Sequence, residues 1–290
     1  KKNYYHTSLL TTFLLGILVL LSSCNSSEKE MYTYFGGKIK NPKDSYVYFS
    51  QGKKKIDSAK LDSNNKFSFQ LDSIKQGLYT FNHGAEFQYL YLEPQDSLLI
   101  YLNTWDFDES LIFSGKGSAK NNFLINLYLR QEKNEKSFKP HFRLKEKEFE
   151  AQIDKGIKEQ LEYYNDFLSN QSEPPSEFFD KLVKTGIYFP FYFLKEYYPI
   201  NHKWYAKMDH YPELDKGFYA YREDLNLNDE SLMNYATYTI YIRTYLYNRA
   251  YQMKDIDPEQ SNIELNFMKM VDKKIQIEAL RNQFFATSAW

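Results

Sequence analysis

Near Gly117 the apolar residues change their period, which divides the chain into a stretch patterned for strands and a stretch patterned for helices. From Phe35 to Gly117, short runs rich in β-branched and aromatic residues alternate with turn-forming clusters, the pattern of an all-β module. Tyr46 to Phe49 follows the turn Asn41-Pro42-Lys43-Asp44, where proline supplies a fixed φ. Lys55 to Leu61 and Lys66 to Leu71 flank Asp62-Ser63-Asn64-Asn65, and Phe67, Phe69 and Leu71 alternate with Ser68 and Gln70. That arrangement predicts a hairpin. Gln88 to Leu92 and Ser97 to Leu102 flank Glu93-Pro94-Gln95-Asp96 in the same way, and Leu111 to Ser114 gives one more strand before Gly115-Lys116-Gly117. About seven strands at this spacing predict a sandwich. The unbroken apolar run Leu98-Leu99-Ile100-Tyr101-Leu102 predicts a strand covered on both faces.

Beyond Gly117 the spacing becomes helical. Phe149, Ile153, Ile157 and Leu161 recur every four residues among charged side chains, an apolar stripe on a helix that ends before Pro174-Pro175. Ser176 is a candidate N-cap for a second helix that carries Phe178, Phe179, Leu182 and Val183 toward Pro190. A third is expected from Ser231 to Met253 with Tyr238, Tyr241 and Tyr245 on one face. Asp257-Pro258 reads as an N-cap followed by proline in the first turn of a fourth, which carries Ile263, Phe267, Met270 and Ile277. The expected fold class is therefore α+β: an antiparallel β-sandwich-like domain over 35–117 followed by a helical domain over 118–290.

The amino terminus imposes a different constraint. Lys1 and Lys2 precede an almost unbroken apolar stretch from Leu9 to Leu21, too short for a membrane span of roughly 20 apolar residues and suited to a signal peptide. Leu21-Ser22-Ser23-Cys24 then matches a lipobox, in which small residues flank the scissile bond and the thiol receives diacylglycerol. Residues 1–23 are expected to be removed and Cys24 to hold the chain to a membrane through lipid, with 24–34 as a polar tether. Glu28 and Glu30 in that tether fit either a surface-export signal or plain solvation. Cys24 is the single cysteine of the chain, so once acylated it leaves no thiol for a disulfide or for redox chemistry.

Composition narrows the partners. A formal net charge of -1 provides no basic face for nucleic acid, and none is expected as a partner. The 27 tyrosines against 3 tryptophans suit surfaces that are apolar in body and polar at the tip. Local chemistry is sparse. His202 and His210, with Asp209 between them, are the nearest approach to a metal set; surface or loop histidines are the better account of them and of His83 and His141. Gly115-Lys116 lacks the upstream Gly and following Ser or Thr of a phosphate loop and reads as a turn into a helix. Asp62-Ser63-Asn64-Asn65 lacks the glycine and distal Glu of a calcium loop. Glu93, Asp96, Asp106, Asp108 and Glu109 could pair as a glycosidase acid and base, although carboxylates in such turns are ordinarily just solvated. No Gly-x-Ser-x-Gly elbow occurs. The aromatic runs Tyr188 to Phe193 and Tyr235 to Tyr251 are most simply core.

The order of several short motifs carries a resemblance. Leu21-Ser22-Ser23-Cys24, Gly37-Lys38-Ile39 with Asn41-Pro42, Leu61-Asp62 before Phe67, and Gly77-Leu78-Tyr79 come first. Tyr91-Leu92-Glu93-Pro94-Gln95-Asp96-Ser97, Phe113-Ser114-Gly115-Lys116-Gly117 and Asn121-Asn122-Phe123-Leu124 follow. Together they resemble the amino-terminal region of thioredoxin-like thiol:disulfide interchange lipoproteins of the Bacteroidetes type. In that family a β domain and a helical segment precede a thioredoxin fold with a Cys-x-x-Cys pair. This chain has no Cys-x-x-Cys, lacks an initiating Met and ends at Trp290, as a fragment or a relative without the catalytic domain would, so no redox residue is carried over.

The expectation is a non-catalytic, membrane-tethered module of the cell envelope, on the periplasmic face or surface of the outer membrane, that binds or positions partners without a cofactor or metal. The alternative is a stand-alone envelope protein that binds glycan or peptide through exposed aromatics such as Trp105, Trp204 or Tyr89.

Overall fold

The computed structural model describes residues 32–256 and 262–288. Its fold is α+β, with strands first and helices after. The strands are β1 (Thr33–Lys40), β2 (Tyr46–Gln51), β3 (Lys54–Lys60), β4 (Lys66–Leu71), β5 (Gly77–His83), β6 (Glu86–Leu92), β7 (Ser97–Asn103) and β8 (Ile112–Lys116). They form two four-stranded sheets, ordered β4-β1-β7-β8 and β3-β2-β5-β6. The phenylalanines at alternate positions, among them Phe35, Phe49, Phe69 and Phe81, fill the space between the sheets. Phe35 touches the other three rings at centroid distances of 5.5 to 6.2 Å, within the range for favourable aromatic pairs.

Several expectations change. The segment expected as a tether to residue 34 already pairs at Thr33, which is opposite Leu71 in β4. Neither four-residue turn makes a hairpin: β3 pairs with β2 while β4 pairs with β1, so Asp62 to Asn65 carries the chain from one sheet to the other. Glu93 to Asp96 does the same between β6 and β7. The turn chemistry itself is as expected, since the Asp62 carboxylate accepts from Asn64 N and Lys66 N, both at 2.8 Å. The sandwich is not wholly antiparallel, because β1 runs parallel to β7. β7 is also not covered twice. Its residues alternate buried and exposed, leaving Leu99 45% and Tyr101 44% exposed on the outer face.

Six α-helices follow among the described residues: α1 (Ser118–Phe138), α2 (Glu146–Ser169), α3 (Glu177–Tyr205), α4 (Ala236–Ile256), α5 (Ile263–Lys274) and α6 (Glu278–Ser288). On α2, Phe149 and Ile153 are buried as expected, but the stripe then passes to Gln160 and Tyr164. An i+4 row drifts about 40° per step, so Ile157 and Leu161 rotate toward the edge of the buried face. Ser176 caps α3, accepting from Phe179 N at 3.2 Å. That helix does not stop at Pro190; it continues through Pro190 and Pro199. Proline at 190 removes the donor that Gly186 O would otherwise receive, and Gln131 of α1 supplies one instead, at 3.3 Å. α4 begins at Ala236, five residues later than Ser231, after a 3-10 turn over Glu230–Leu232 held by Asp229, whose carboxylate accepts from Ser231 N. The Tyr238, Tyr241 and Tyr245 face is buried as expected. Asp257-Pro258 lies outside the described residues; α5 is capped by Asn262, which accepts from Leu265 N at 2.9 Å, and Ile277 falls in the break between α5 and α6.

What joins the two halves is a pair of adjacent asparagines in the first turn of α1. Asn121 accepts from Tyr91 N and donates to Tyr91 O, both at 2.8 Å, while Asn122 accepts from Phe113 N at 2.9 Å and donates to Phe113 O at 2.8 Å. Each primary amide thus behaves as one peptide unit of a neighbouring strand, and α1 closes an edge of each sheet at β6 and β8. A second clamp lies beside it. The Tyr91 phenol donates to Glu93 at 2.8 Å and sits 2.8 Å from the Ser176 hydroxyl at the start of α3, and Lys120 pairs with Glu93. Tyr91 and Leu78 pack with Phe123, Phe179 and Leu182, so the helical core continues onto the outer face of the second sheet.

Candidate functional site

α1 touches β6 closely at Tyr91 and then diverges from it. Where they part, a cleft of about 540 Å³ opens between the sandwich and the helices. Phe87 and Tyr89 of β6 and Leu78 of β5 form one side; Leu124, Leu127 and Tyr128 of α1 form another. Phe189 and Phe193 of α3, with Tyr235 and Ile240 at the start of α4, complete it. The size and the apolar, aromatic walls are those of a ligand or peptide site.

Tyr89 ties the cleft together. Its phenol accepts from Ala236 N at 2.8 Å, satisfying one of the free amides at the start of α4, and its ring meets Tyr235 edge-on at 5.5 Å and Phe87 edge-on at 5.7 Å. Burial pushes the Tyr89 phenol up to about 12, so it stays protonated at neutral pH. Behind the wall, Tyr241 reaches back to the buried carboxylate of Glu196 at 3.3 Å.

The charged groups of the lining have one sign. Asp108, Glu132 and Glu135 contribute carboxylates, and no Lys, Arg or His lines the cleft among the described residues. Burial first, and then the charges of Glu109 and Glu132, raise the Asp108 pKa against the lowering effect of a 2.8 Å hydrogen bond from Gln88. The Tyr128 phenol is raised by burial and by the same carboxylates, led by Asp108 and Glu132. The mouth is anionic and the interior apolar.

The other sequence candidates do not converge. Glu93 and Asp96 lie before β7, whereas Asp106, Asp108 and Glu109 lie after it; the 7 residues between them span about 23 Å, beyond the roughly 5 to 9.5 Å of a glycosidase pair. Of these five, Asp108 alone lines the cleft. Gly117 has φ of 92°, and a Cβ there would meet the Asp96 carboxylate at 2.6 Å, so an acid occupies the space beside the Gly115-Lys116-Gly117 turn. His202 is neither a surface nor a loop residue: it is buried in α3, its Nδ1 2.8 Å from Phe142 O and its ring stacked on Tyr198. His83 is buried as well, its Nε2 accepting from Lys43 N at 2.9 Å. His210 is exposed and bonds to Tyr211 O, and no group of three or more His, Cys, Asp or Glu with metal-holding geometry occurs among the described residues. Trp105 and Trp204 are 71% and 77% exposed and do not line the cleft. The sequence pointed to Tyr89 and Asp108, and missed Phe87, Tyr128, Glu132, Glu135 and Ile240. Leu21, Ser22, Ser23 and Cys24, the residue expected to be lipidated, lie outside the described residues. Among the described residues no helix is long and apolar enough to cross a membrane.

Comparison of the chain with protein-family models, with curated proteins and with solved structures returns no match.

Proposed function

We propose that this chain is a non-catalytic binding module of the cell envelope, held to the outer membrane by lipid on Cys24, with the cleft between sandwich and helices as its binding site. In a thioredoxin-like lipoprotein such a module would stand before the redox domain and engage that domain's partners. The observation that carries the proposal is the cleft, which is preformed, apolar and set where two structural layers part. Trp105 and Trp204, the tryptophans expected to stack on glycan, stand away from it, so peptide is favoured over glycan. The single cysteine supports both the tether and the lack of thiol chemistry.

Two measurements test this. A neutral naphthylamine dye is expected to fluoresce on binding the cleft, and Ile240→Trp, which fills the cleft from a half-exposed position, is expected to weaken binding about tenfold while changing stability by no more than about 0.5 kcal/mol. Equal dye affinity in the variant would reject the cleft as the site. Metabolic labelling with fatty acid is expected to mark the expressed chain and to be lost in Cys24→Ala; label that persists overturns the tether. Thiol-dependent turnover in a disulfide-reductase assay of this chain would end the non-catalytic reading.

A further inference from the structure

The edge of β6 beside the cleft adds a second recognition element. β6 pairs with β5 in strict antiparallel register, from Gly77 opposite Leu92 to His83 opposite Glu86, and among the described residues no strand lies on its other side. In such a ladder the residues that bond to the partner alternate with those whose N–H and C=O point away. Tyr91 is one of the latter, because Asn121 takes both of its backbone groups. Tyr89 and Phe87, two and four residues earlier, therefore face outward too. The Gln88 side chain folds onto Tyr89 N at 2.7 Å. Among the described residues no side chain covers Phe87 N in this way, and Phe87 is half-exposed at the cleft.

Three features thus meet at one place: an outward strand edge at Phe87 and Tyr89, an apolar trough between that edge and α1, and carboxylates from Asp108, Glu132 and Glu135. Asp108 and Glu135 have no cation within ion-pair distance among the described residues, and the contact of Glu132 with Lys136 is an exposed helical pair, worth little. We propose that the cleft captures an extended polypeptide segment that adds to the edge of β6 as a further strand, directs apolar side chains into the trough and sets lysine or arginine side chains against the acidic mouth. The proposal rests on the cleft being the binding site and names its occupant. An extended backbone is the ligand class that offers donors and acceptors at strand spacing, the mode known as β-augmentation, and alternate side chains then fall on the trough. A small amphipathic amine would meet the carboxylates and leave the strand edge unused.

The test uses the intact chain and short capped peptides that alternate valine with lysine, with glutamate or norleucine in place of lysine, and with alternate amides N-methylated. The lysine peptide is expected to bind about tenfold more tightly than the glutamate peptide, and N-methylation to reduce binding by a similar factor. Hydrogen exchange at the Phe87 amide is expected to slow when the lysine peptide is bound. Glu132→Lys with Glu135→Lys, which inverts the charge that these two lining residues bring to the mouth, is expected to reverse the preference for lysine over glutamate. Equal affinity for lysine and glutamate peptides, insensitivity to N-methylation, or unchanged exchange at Phe87 would overturn the proposal. If the dye binds and is displaced by none of the peptides, the cleft stands and its peptide occupant falls; if the dye does not bind, the cleft itself falls.

Discussion

Replacing Glu196 with leucine is expected to destabilise the chain by about 3–5 kcal/mol, the scale of removing one member of a buried ion pair. The Glu196 side chain is fully buried in α3, and Arg222 meets it with Nε at 2.8 Å and with a second bond from Nη2. Tyr221 donates at 2.8 Å, and Asn248 donates to the carboxylate at 2.6 Å and to the Glu196 carbonyl at 2.9 Å. The guanidinium lies 3.6 Å from the centre of the Tyr219 ring. Burial alone would lower the pKa of Arg222, and its bonds to and charge contact with Glu196 outweigh this and raise it; with Glu196 removed that compensation is lost, while the intrinsic basicity of the guanidinium keeps Arg222 charged. The phenols of Tyr221 and Tyr241 are raised by burial and then by the charge of Glu196, and both would lose that carboxylate as their acceptor. Arg222→Met should cost a similar amount, and the double variant less than the sum of the two, because no unpaired charge remains. Urea unfolding followed by circular dichroism measures all three. A loss under about 1 kcal/mol in Glu196→Leu would show that Arg222 reaches water when its partner is gone.

The strands other than β5, the Ser176 cap, the tyrosine face of α4 and the turn from β8 into α1 could be read locally because each depends on residues a few places apart. What could not be read depends on partners far along the chain. The two turns at Asp62 and Asp96 have the chemistry of tight turns, and turn chemistry does not specify whether the next strand stays in the same sheet. Asp62 fixes its own loop through Asn64 and Lys66, while the partner of β4 is β1, more than twenty residues earlier. Pro190 carries the same lesson. The local rule ends a helix there, but Gln131 supplies the donor missing at Gly186 O, and nothing near residue 190 announces it.

The cleft was less accessible still. Its walls come from β5, β6, α1, α3 and α4, so no spacing within one segment marks it. Tyr89 and Asp108 drew notice for other reasons, as a stacking aromatic and as a potential acid. Glu132 and Glu135 are two of many acidic residues on helix faces, and they acquire meaning only because no basic residue among the described residues shares the lining. The start of α4 is displaced by a related effect, since the phenol of Tyr89 in β6 serves Ala236 N across 147 residues of sequence.

Asn121→Ala is expected to cost about 2–5 kcal/mol and to loosen the junction on which the cleft depends. The side chain is buried, and its loss strands Tyr91 N, Tyr91 O and Gly117 O, each of which would pay roughly 1–3 kcal/mol if it stayed dry and unpaired. Asn121→Asp keeps the acceptor for Tyr91 N but cannot donate to either carbonyl and buries a charge, so conservative shape should not rescue it. Asn122→Ala makes the informative contrast. Asn122 is only partly buried, water can reach the edge of β8, and its loss should cost about 1 kcal/mol. Amide exchange should separate the two residues: Tyr91 N is expected to exchange faster in Asn121→Ala and Phe113 N in Asn122→Ala, with little crossover. Dye binding follows the first and not the second, because Tyr91 lies two residues from the Tyr89 wall of the cleft while Phe113 belongs to the opposite sheet. If both variants lose stability equally and neither amide exchanges faster, the adjacent amides do not act as strand surrogates, and the coupling of sandwich to helices must come from the apolar contacts of Leu78 and Tyr91 with α1 and α3 alone.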